Sequence, residues 1–414
     1  MGEEGSQVQY KSMKWCDDCA VNFFRSSFSS IIDGNFRNCP MLTIRLSGCV
    51  IILGIGILTT YTGYVLGQFK LQYPHIHNMS DAAGLLFGDM GREVVTAAQI
   101  IFFVFLMGAH ILTFSIIMNT LTGHGACTII FCLAGAILCF VLTLSRRLEE
   151  NSLTSLSIFI AVMITMIAIG IEVPDPKAYA INHPTLASGF SASLNIVVSF
   201  SGHLSYFSFQ SELAEPKNFT KALVTLQLTS ILLYLVPALV IYRYAGASVK
   251  SPALLRTSSS VAKVSFGIAV GTIVIAGVII AHIGAKTIYV RLFRGTSRMN
   301  ERSFISNGTW VLIVLCLWTV AWIIANSIPV FNDLLNLLAA AFASWFSFGF
   351  EALFWFHMNK KRLNSPWQFA LAGLNILIIL LTCLMCGMGL WATGKSIAVS
   401  ARSAHKAFSC ADNR

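Results

Sequence analysis

Val94-Val-Thr-Ala-Ala-Gln-Ile-Ile-Phe-Phe-Val-Phe-Leu-Met-Gly-Ala-His-Ile-Leu-Thr-Phe-Ser-Ile-Ile-Met-Asn119 contains no aspartate, glutamate, lysine or arginine. A helix needs about 20 predominantly apolar residues to cross the hydrocarbon core of a bilayer. Inside that core there is no water to take up a stray amide or carbonyl. Each backbone group must be satisfied within its own segment, which makes helix the state of such a run. No stretch alternates apolar and polar residues with period two, so a membrane β-barrel is excluded.

Nine further runs of the same kind flank it, at 46–67, 124–144, 153–173, 190–210, 222–242, 264–285, 309–328, 334–357 and 366–392. Polar or Gly/Pro turns close them, among them Ser145-Arg146-Arg147 and Val173-Pro-Asp-Pro176. The chain as a whole agrees. Of its 414 residues 56% are hydrophobic and 11% charged, where soluble domains carry about 25% charged residues. The reading is an all-α integral membrane protein of about ten spans, with a polar segment at 1–45, a bundle over 46–392 and a tail at 393–414.

Basic residues orient the bundle. The loops after spans one, three, five, seven and nine carry Lys70, Arg92, Arg146, Arg147, Lys217, Lys221, Lys286, Arg291, Arg294, Arg298, Arg302, Lys360, Lys361 and Arg362. The alternate loops carry only Lys177, Arg243, Lys250, Arg256 and Lys263. The first set is expected in the cytoplasm. Ten spans then leave the N-terminal segment outside, although it holds Lys11, Lys14, Arg25, Arg37 and Arg45. One more helix before residue 46 would remove the conflict, but charges interrupt every apolar run there. The sequence reads as if a span had been lost. Three N-x-[ST] sequons, at Asn78, Asn218 and Asn307, fall on the side expected to be cytoplasmic, where they could not be glycosylated.

The basic excess follows loop topology and gives no reason to expect nucleic-acid binding. Cys49, Cys127, Cys132, Cys139 and Cys316 sit singly within spans, as does the pair Cys383 and Cys386, and small apolar packing is their expected role. Cys16-Asp-Asp-Cys19 has only Cys39 near it, short of the four ligands of a structural zinc site; no metal is expected. Gly267 and Gly271 at i,i+4 spacing suggest a close helix contact.

Polar groups inside a membrane are expensive and point to function. Thr96, Gln99, His110 and Thr113 share one face of span two, either as interhelical hydrogen bonding or, for His110 and with it Thr113, as a proton-coupling site. Glu351 lies below Ser344 and Ser347 in span nine. It is a second proton candidate, or a carboxylate that reaches the interface near Lys360. The run Asn195-Ile-Val-Val-Ser-Phe-Ser-Gly-His-Leu-Ser-Tyr-Phe-Ser208 in span five is the strongest local signal. Ser199, Ser201, Gly202, His203 and Ser205 are weak helix formers at mid-span. Transporters break helices near the midplane to free backbone groups for a substrate, and a break is expected here.

Several of these residues also form a pattern. Tyr61-Thr-Gly-Tyr-Val-Leu-Gly-Gln-Phe-Lys70 with Tyr73-Pro-His-Ile-His-Asn78, Gly108-Ala-His-Ile-Leu-Thr-Phe114, and Ser211-Glu-Leu-Ala-Glu-Pro-Lys-Asn-Phe-Thr-Lys-Ala222 resemble the amino acid/auxin permease family, nearest to the fungal neutral amino acid permeases. Lys286-Thr-Ile-Tyr-Val-Arg-Leu-Phe-Arg294 and Ile328-Pro-Val-Phe-Asn-Asp-Leu334 complete the likeness over about 46–392, with Ala339 where the family usually has glycine. The resemblance implies a leucine-transporter-type fold with an inverted repeat and eleven helices, the first and sixth unwound at the substrate. Span five corresponds to the sixth, and a counterpart of the first is not recognisable.

It also implies uptake of amino acids, neutral or aromatic ones being expected, by symport with protons. The partners would be the amino acid, protons and the lipid bilayer, with no cofactor beyond the proton gradient, and the plasma membrane rather than the vacuolar membrane as location. The absent helix keeps a rival open: a non-transporting subunit, a sensor or a truncated variant of such a permease. A membrane-embedded enzyme is not favoured, because no nucleophile motif or metal-spaced cluster is present.

Overall fold

The computed structural model describes residues 41–145, 153–172, 186–245, 257–293, 303–328, 330–360, 364–400 and 407–413. Cys16, Cys19, Cys39 and all but the last five residues of the expected polar segment at 1–45 lie outside the described residues. Among the described residues, twelve α-helices follow in chain order: α1 (Met41–Gln72), α2 (Met79–Thr122), α3 (Thr128–Thr143), α4 (Leu153–Glu172), α5 (Leu186–Ser199), α6 (His203–Glu212), α7 (Phe219–Ala245), α8 (Ser259–Phe293), α9 (Phe304–Ser327), α10 (Phe331–Leu338), α11 (Phe350–Asn359) and α12 (Pro366–Ser400). Among the described residues, 7 helical stretches are long and apolar enough to cross a membrane, and Thr128–Thr143 and Ile160–Ile169 are shorter apolar helices. With the pair α5–α6 these account for the ten expected spans.

Two bodies of packing organise the molecule. The long α2 lies against α8 and α9, with α3 wedged among the three. On the other side α1 packs against α6, α7 and α11, while α12 lies over α5 and α10. The helix α1 reaches α7 closely because Gly67 has no side chain; a Cβ there would stand 2.5 Å from the Phe219 ring. Outward-facing stripes are apolar. Ile130, Leu133, Ile137 and Val141 of α3, and Ile376, Leu377, Leu380 and Leu384 of α12, are all exposed. Patches of that extent do not belong on a water-facing monomer and suit lipid contact.

The structure departs from the sequence reading in four places. Residues 79–93, expected as loop, continue α2 into one helix kinked at Gly88, whose φ of 72° and ψ of −164° suit glycine. Asn78 caps its start, accepting from the Asp81 amide at 2.7 Å. The acidic and basic residues Asp81, Asp89, Arg92 and Glu93 hid this turn-rich start from a hydropathy reading. Gly267 and Gly271 face open space rather than a neighbouring helix; Gly277, under His110, makes the close approach instead. The helix α12 runs to Ser400, past the expected end at 392.

The fourth departure is Cys127, which is not a packing residue within a span. It precedes α3 as its cap and forms a disulfide with Cys410, 283 residues on. This bond holds residues 407–413 against the ends of α2, α3 and α9. Thr128 Oγ1 donates to the Ala411 carbonyl at 2.7 Å, and the Phe408 amide donates to the Asn326 carbonyl at 2.9 Å. Asn413 is bonded to both Asn119 and Ser115, at 2.7 and 2.8 Å. Disulfides persist in oxidising compartments. This one lies on the face that the charge count assigns to the non-cytoplasmic side, so two independent arguments orient the bundle alike.

Candidate functional site

The run of weak helix formers in span five does break. The helix α5 ends at Ser199, α6 starts at His203, and Phe200-Ser201-Gly202 joins them. At the end of α5 the bonding tightens: the Phe200 amide reaches Val197 at 3.1 Å and the Ser201 amide reaches Val198 at 3.1 Å. The Gly202 amide then turns back to the Phe200 carbonyl at 2.9 Å, and the Ser205 amide to Gly202 at 3.1 Å. A helix end leaves its last carbonyls and first amides without intrahelical partners. The break therefore sets the negative end of α5 beside the positive end of α6, inside a bundle where water is scarce.

Ser199 and Ser201 are buried, and their hydroxyls donate back into α5, to Asn195 at 2.8 Å and Val197 at 2.6 Å. Their side chains thus stabilise the end of α5. Tyr234 of α7 donates its hydroxyl to the Ser199 carbonyl at 2.9 Å, and its ring meets Phe200 edge-on at 5.0 Å. Ser205 is half-buried in the first turn of α6.

His203 is fully buried, and its Nε2 lies 3.1 Å from the Thr59 carbonyl and 3.0 Å from Thr62 Oγ1. A carbonyl can only accept, so Nε2 carries the hydrogen and Nδ1 is the bare nitrogen. The imidazole therefore pins the start of α6 to α1. One turn on, the Tyr206 ring lies tilted beside it, with ring centroids 4.8 Å apart. Tyr206 accepts from Gln227 Nε2 of α7 at 3.1 Å.

Above the break, on the outer side, three helices are joined by a cluster of amides. Asn195 of α5 donates to Asn332 of α10 at 2.7 Å, and Asn332 and Asn336 both donate to Ser191. Ser396 of α12 donates to Asp333 at 2.6 Å. Below it, α10 passes through two π-helical turns, Ala339–Ala343 and Trp345–Gly349, into α11. Glu351 lies in the first turn of α11. It is fully buried, and neither carboxyl oxygen has a hydrogen-bond partner from another described residue. The interfacial reading of Glu351 is therefore not the one observed.

The expected residues thus fall into three places. Ser199, Ser201, Gly202, His203 and Ser205 form the break. Glu351 stands on α11, whose Phe354 meets Phe207 of α6 with ring centroids 6.5 Å apart. His110 belongs to the α2–α8 packing, over Gly277 and near Trp318, and Thr113 donates to Ala109 in its own helix at 2.9 Å. Sequence reasoning missed Tyr234, Tyr206, Gln227 and the Asn195–Asn332 pair. Each sits in a span whose hydropathy dominates the local signal, although a buried amide or phenol at mid-span is itself a usable marker. Among the described residues no group of three or more His, Cys, Asp or Glu could hold a metal ion.

Comparison with known proteins gives the same outline. Residues 46–395 match the family described as transmembrane amino acid transporter protein. The chain is 32% identical over 368 residues to the N amino acid transport system protein of Neurospora crassa, covering 85% of this chain and 77% of that one. It is 30% identical over 386 residues to a transmembrane transporter of Gibberella moniliformis, covering 89% and 81%. Among solved structures it resembles MhsT, crystallised with L-phenylalanine, at a TM-score of 0.54 with 11% identity over 90% of this chain and 98% of that one. At that identity the likeness speaks for the fold, the leucine-transporter-type inverted repeat.

Proposed function

The chain belongs to the transmembrane amino acid transporter family and is a multi-pass membrane transporter of amino acids; from that premise we propose that its cargo is a neutral amino acid, favouring apolar or aromatic side chains, moved by proton symport. The broken helix carries this reading. An amino acid brings an ammonium and a carboxylate a few ångströms apart. The carbonyl end of α5 complements the first, and the amide end of α6 the second.

The side chain of the substrate would lie beside Phe200 and Tyr234. Among the described residues at the break, none carries a formal charge at neutral pH. A cationic or anionic side chain would enter a membrane interior without a counter-charge, which is costly. A neutral one would bury apolar surface against the rings. Ser199 and Ser201 act by shaping the end of α5 rather than through free hydroxyls, and His203 acts by holding α6 against α1. Proton coupling is supported by the buried Glu351; the packed positions of His110 and Thr113 make them weaker candidates. The plasma membrane is the proposed location.

The test is uptake of labelled leucine and phenylalanine by transport-deficient cells that express the chain, at acidic and neutral external pH, with and without a protonophore. Saturable uptake that collapses with the proton gradient is expected, with labelled lysine and glutamate competing poorly. A chain that reaches the membrane and takes up none of them would instead be a non-transporting relative, and the proposal would fail.

A further inference from the structure

Glu351 is a carboxyl group that the fold hides completely. A π-helical turn accommodates an added residue, and each added residue rotates the downstream helix by about 100° about its axis. Two such turns directly precede α11 and Glu351. They set its register; its exposure is 0%, and one turn on, Phe354 meets Phe69 of α1 and Phe207 of α6 with ring centroids 4.6 and 6.5 Å apart, so the seam at this level is formed by α1, α6 and α11. Asn359 ends the same helix, about 12 Å farther along the axis.

An ionised carboxylate in that seam would have neither a counter-charge nor a donor, a costly state. The conformation observed is thus the one that suits the neutral acid. Losing the proton creates a demand for a donor, and α6 offers one. The Tyr206 hydroxyl accepts from Gln227 and so keeps its own hydrogen to give. Gln227 Oε1 is likewise buried without a partner among the described residues.

The other titratable groups around the seam are engaged or distant. On α1, Tyr61 accepts from Asn375 at 2.6 Å and Lys70 donates to the Pro74 carbonyl at 2.9 Å. On α6, His203 is tied to Thr59 and Thr62. On its own helix, His357 sits beside Phe69 and Tyr73 toward the inner end. Cys383 and Cys386 of α12 face outward or are half-buried, and Lys395 lies at the outer end over Trp391. On α2, Arg92 and Glu93 pair with Asp89 and Arg291 near the inner end, and His110 packs under α8.

We propose that Glu351 is the group that takes up and releases the coupling proton, and that Tyr206 positions it by donating to the carboxylate when the proton has left. Tyr206 is carried on α6, one turn beyond His203 and the break. A pull on Tyr206 toward α11 is therefore a pull on the helix whose first amides face the substrate. Proton and substrate bias the same rigid element, which is what energetic coupling between two sites requires. No bond other than O–H is made or broken; the proton passes from the acidic side to the carboxyl oxygen and leaves on the other side.

This inference rests on the symport reading, and the experiment separates the two. Wild-type protein, Glu351→Gln and Tyr206→Phe are purified into liposomes, and two quantities are read with labelled leucine and phenylalanine: net uptake driven by an inward proton gradient, and counterflow exchange without a gradient. The amide mimics the neutral acid. Glu351→Gln should lose gradient-driven uptake at least tenfold yet keep counterflow within a few-fold, with its pH dependence flattened. Tyr206→Phe should keep coupling, while the external pH for half-maximal uptake moves upward because the carboxylate has lost its donor.

If wild-type protein shows no gradient dependence, the symport reading itself fails. If wild type is gradient-driven and Glu351→Gln matches it, Glu351 is not the coupling group. Should Glu351→Gln be inactive in both assays, the Tyr206→Phe profile decides, and an unshifted profile overturns the proposal.

Discussion

The two ends of the bundle are finished differently. On the non-cytoplasmic side Cys127 is bonded to Cys410, and Asn119, Thr128, Ser115 and Asn326 are all engaged by residues 407–413. Toward the cytoplasmic half, Glu351, Gln227 Oε1 and Gln210 Oε1 are buried without partners among the described residues. Satisfied polar groups rigidify a core, whereas unsatisfied ones hold free energy that another arrangement can release. The comparison separates a part built to stay from a part built to change. The stapled end belongs to α2, α3 and α9; buried atoms without partners occur in other helices too, and α6 below the break carries two of them, His203 Nδ1 and Gln210 Oε1.

The largest effect should come from mending the break. The pair Ser201→Ala and Gly202→Ala replaces two poor helix formers by the best one, with about 1 kcal/mol gained at the glycine alone. Continuous helix would recover the amides and carbonyls proposed to hold the substrate. A hydrogen bond to a charged group contributes about 1.5–3 kcal/mol, so losing even one lowers affinity by roughly tenfold to a hundredfold. Binding of labelled substrate to purified protein should fall by at least that much while thermal stability holds or rises. Retained binding would mean that the break is structural, and the contrast between the two ends would lose its functional content.

The stapled end gives the opposite signature. Cys410→Ser opens a cross-link that spans 283 residues. Disulfides of native proteins are worth about 2–4 kcal/mol, through the chain freedom they remove from the unfolded state. The variant should unfold at a lower temperature in detergent by several degrees, with its substrate affinity unchanged. A loss of uptake without a loss of stability would place the tail in the transport cycle and erase the division between the two ends. Accessibility adds a check on orientation: after reduction, a membrane-impermeant maleimide added outside intact cells should label Cys410 and Cys127.

Hydropathy made the spans legible, because each is a long, nearly charge-free run and the bilayer admits one secondary structure. The break was legible for a different reason: Ser199, Ser201, Gly202 and Ser205 place poor helix formers together at mid-span. Glu351 was visible as a residue but not as a buried one. Its direction depends on two π-helical turns, and a reading at 3.6 residues per turn carries the register straight through them. The first part of α2 was obscured by Asp81, Asp89, Arg92 and Glu93, which look like loop residues until Asn78 is seen to cap a helix. The disulfide could not be read at all. Cys127 stands at the edge of an apolar run, where it resembles a packing residue, and nothing local points to a partner so far along the chain.

The smallest effect is the most discriminating. Asn413 joins Asn119 and Ser115 of α2 through its two amide atoms, and Ser115 is itself fully buried. Hydrogen bonds between membrane helices average about 0.6 kcal/mol, because the unfolded chain in the membrane finds other partners. Asn413→Ala should therefore cost about 1 kcal/mol at most for two bonds, and with the disulfide intact the segment should stay docked. With Cys410→Ser already present, that modest contribution is what holds residues 407–413 in place. The double variant should then expose Ser409 and its neighbours to protease faster than either single change, measured by the rate of cleavage in intact cells. Additive, independent effects would show that the disulfide and the amide bonds do not act on the same docking equilibrium. A more than additive effect would show one latch made of two unequal parts, the covalent one masking the other.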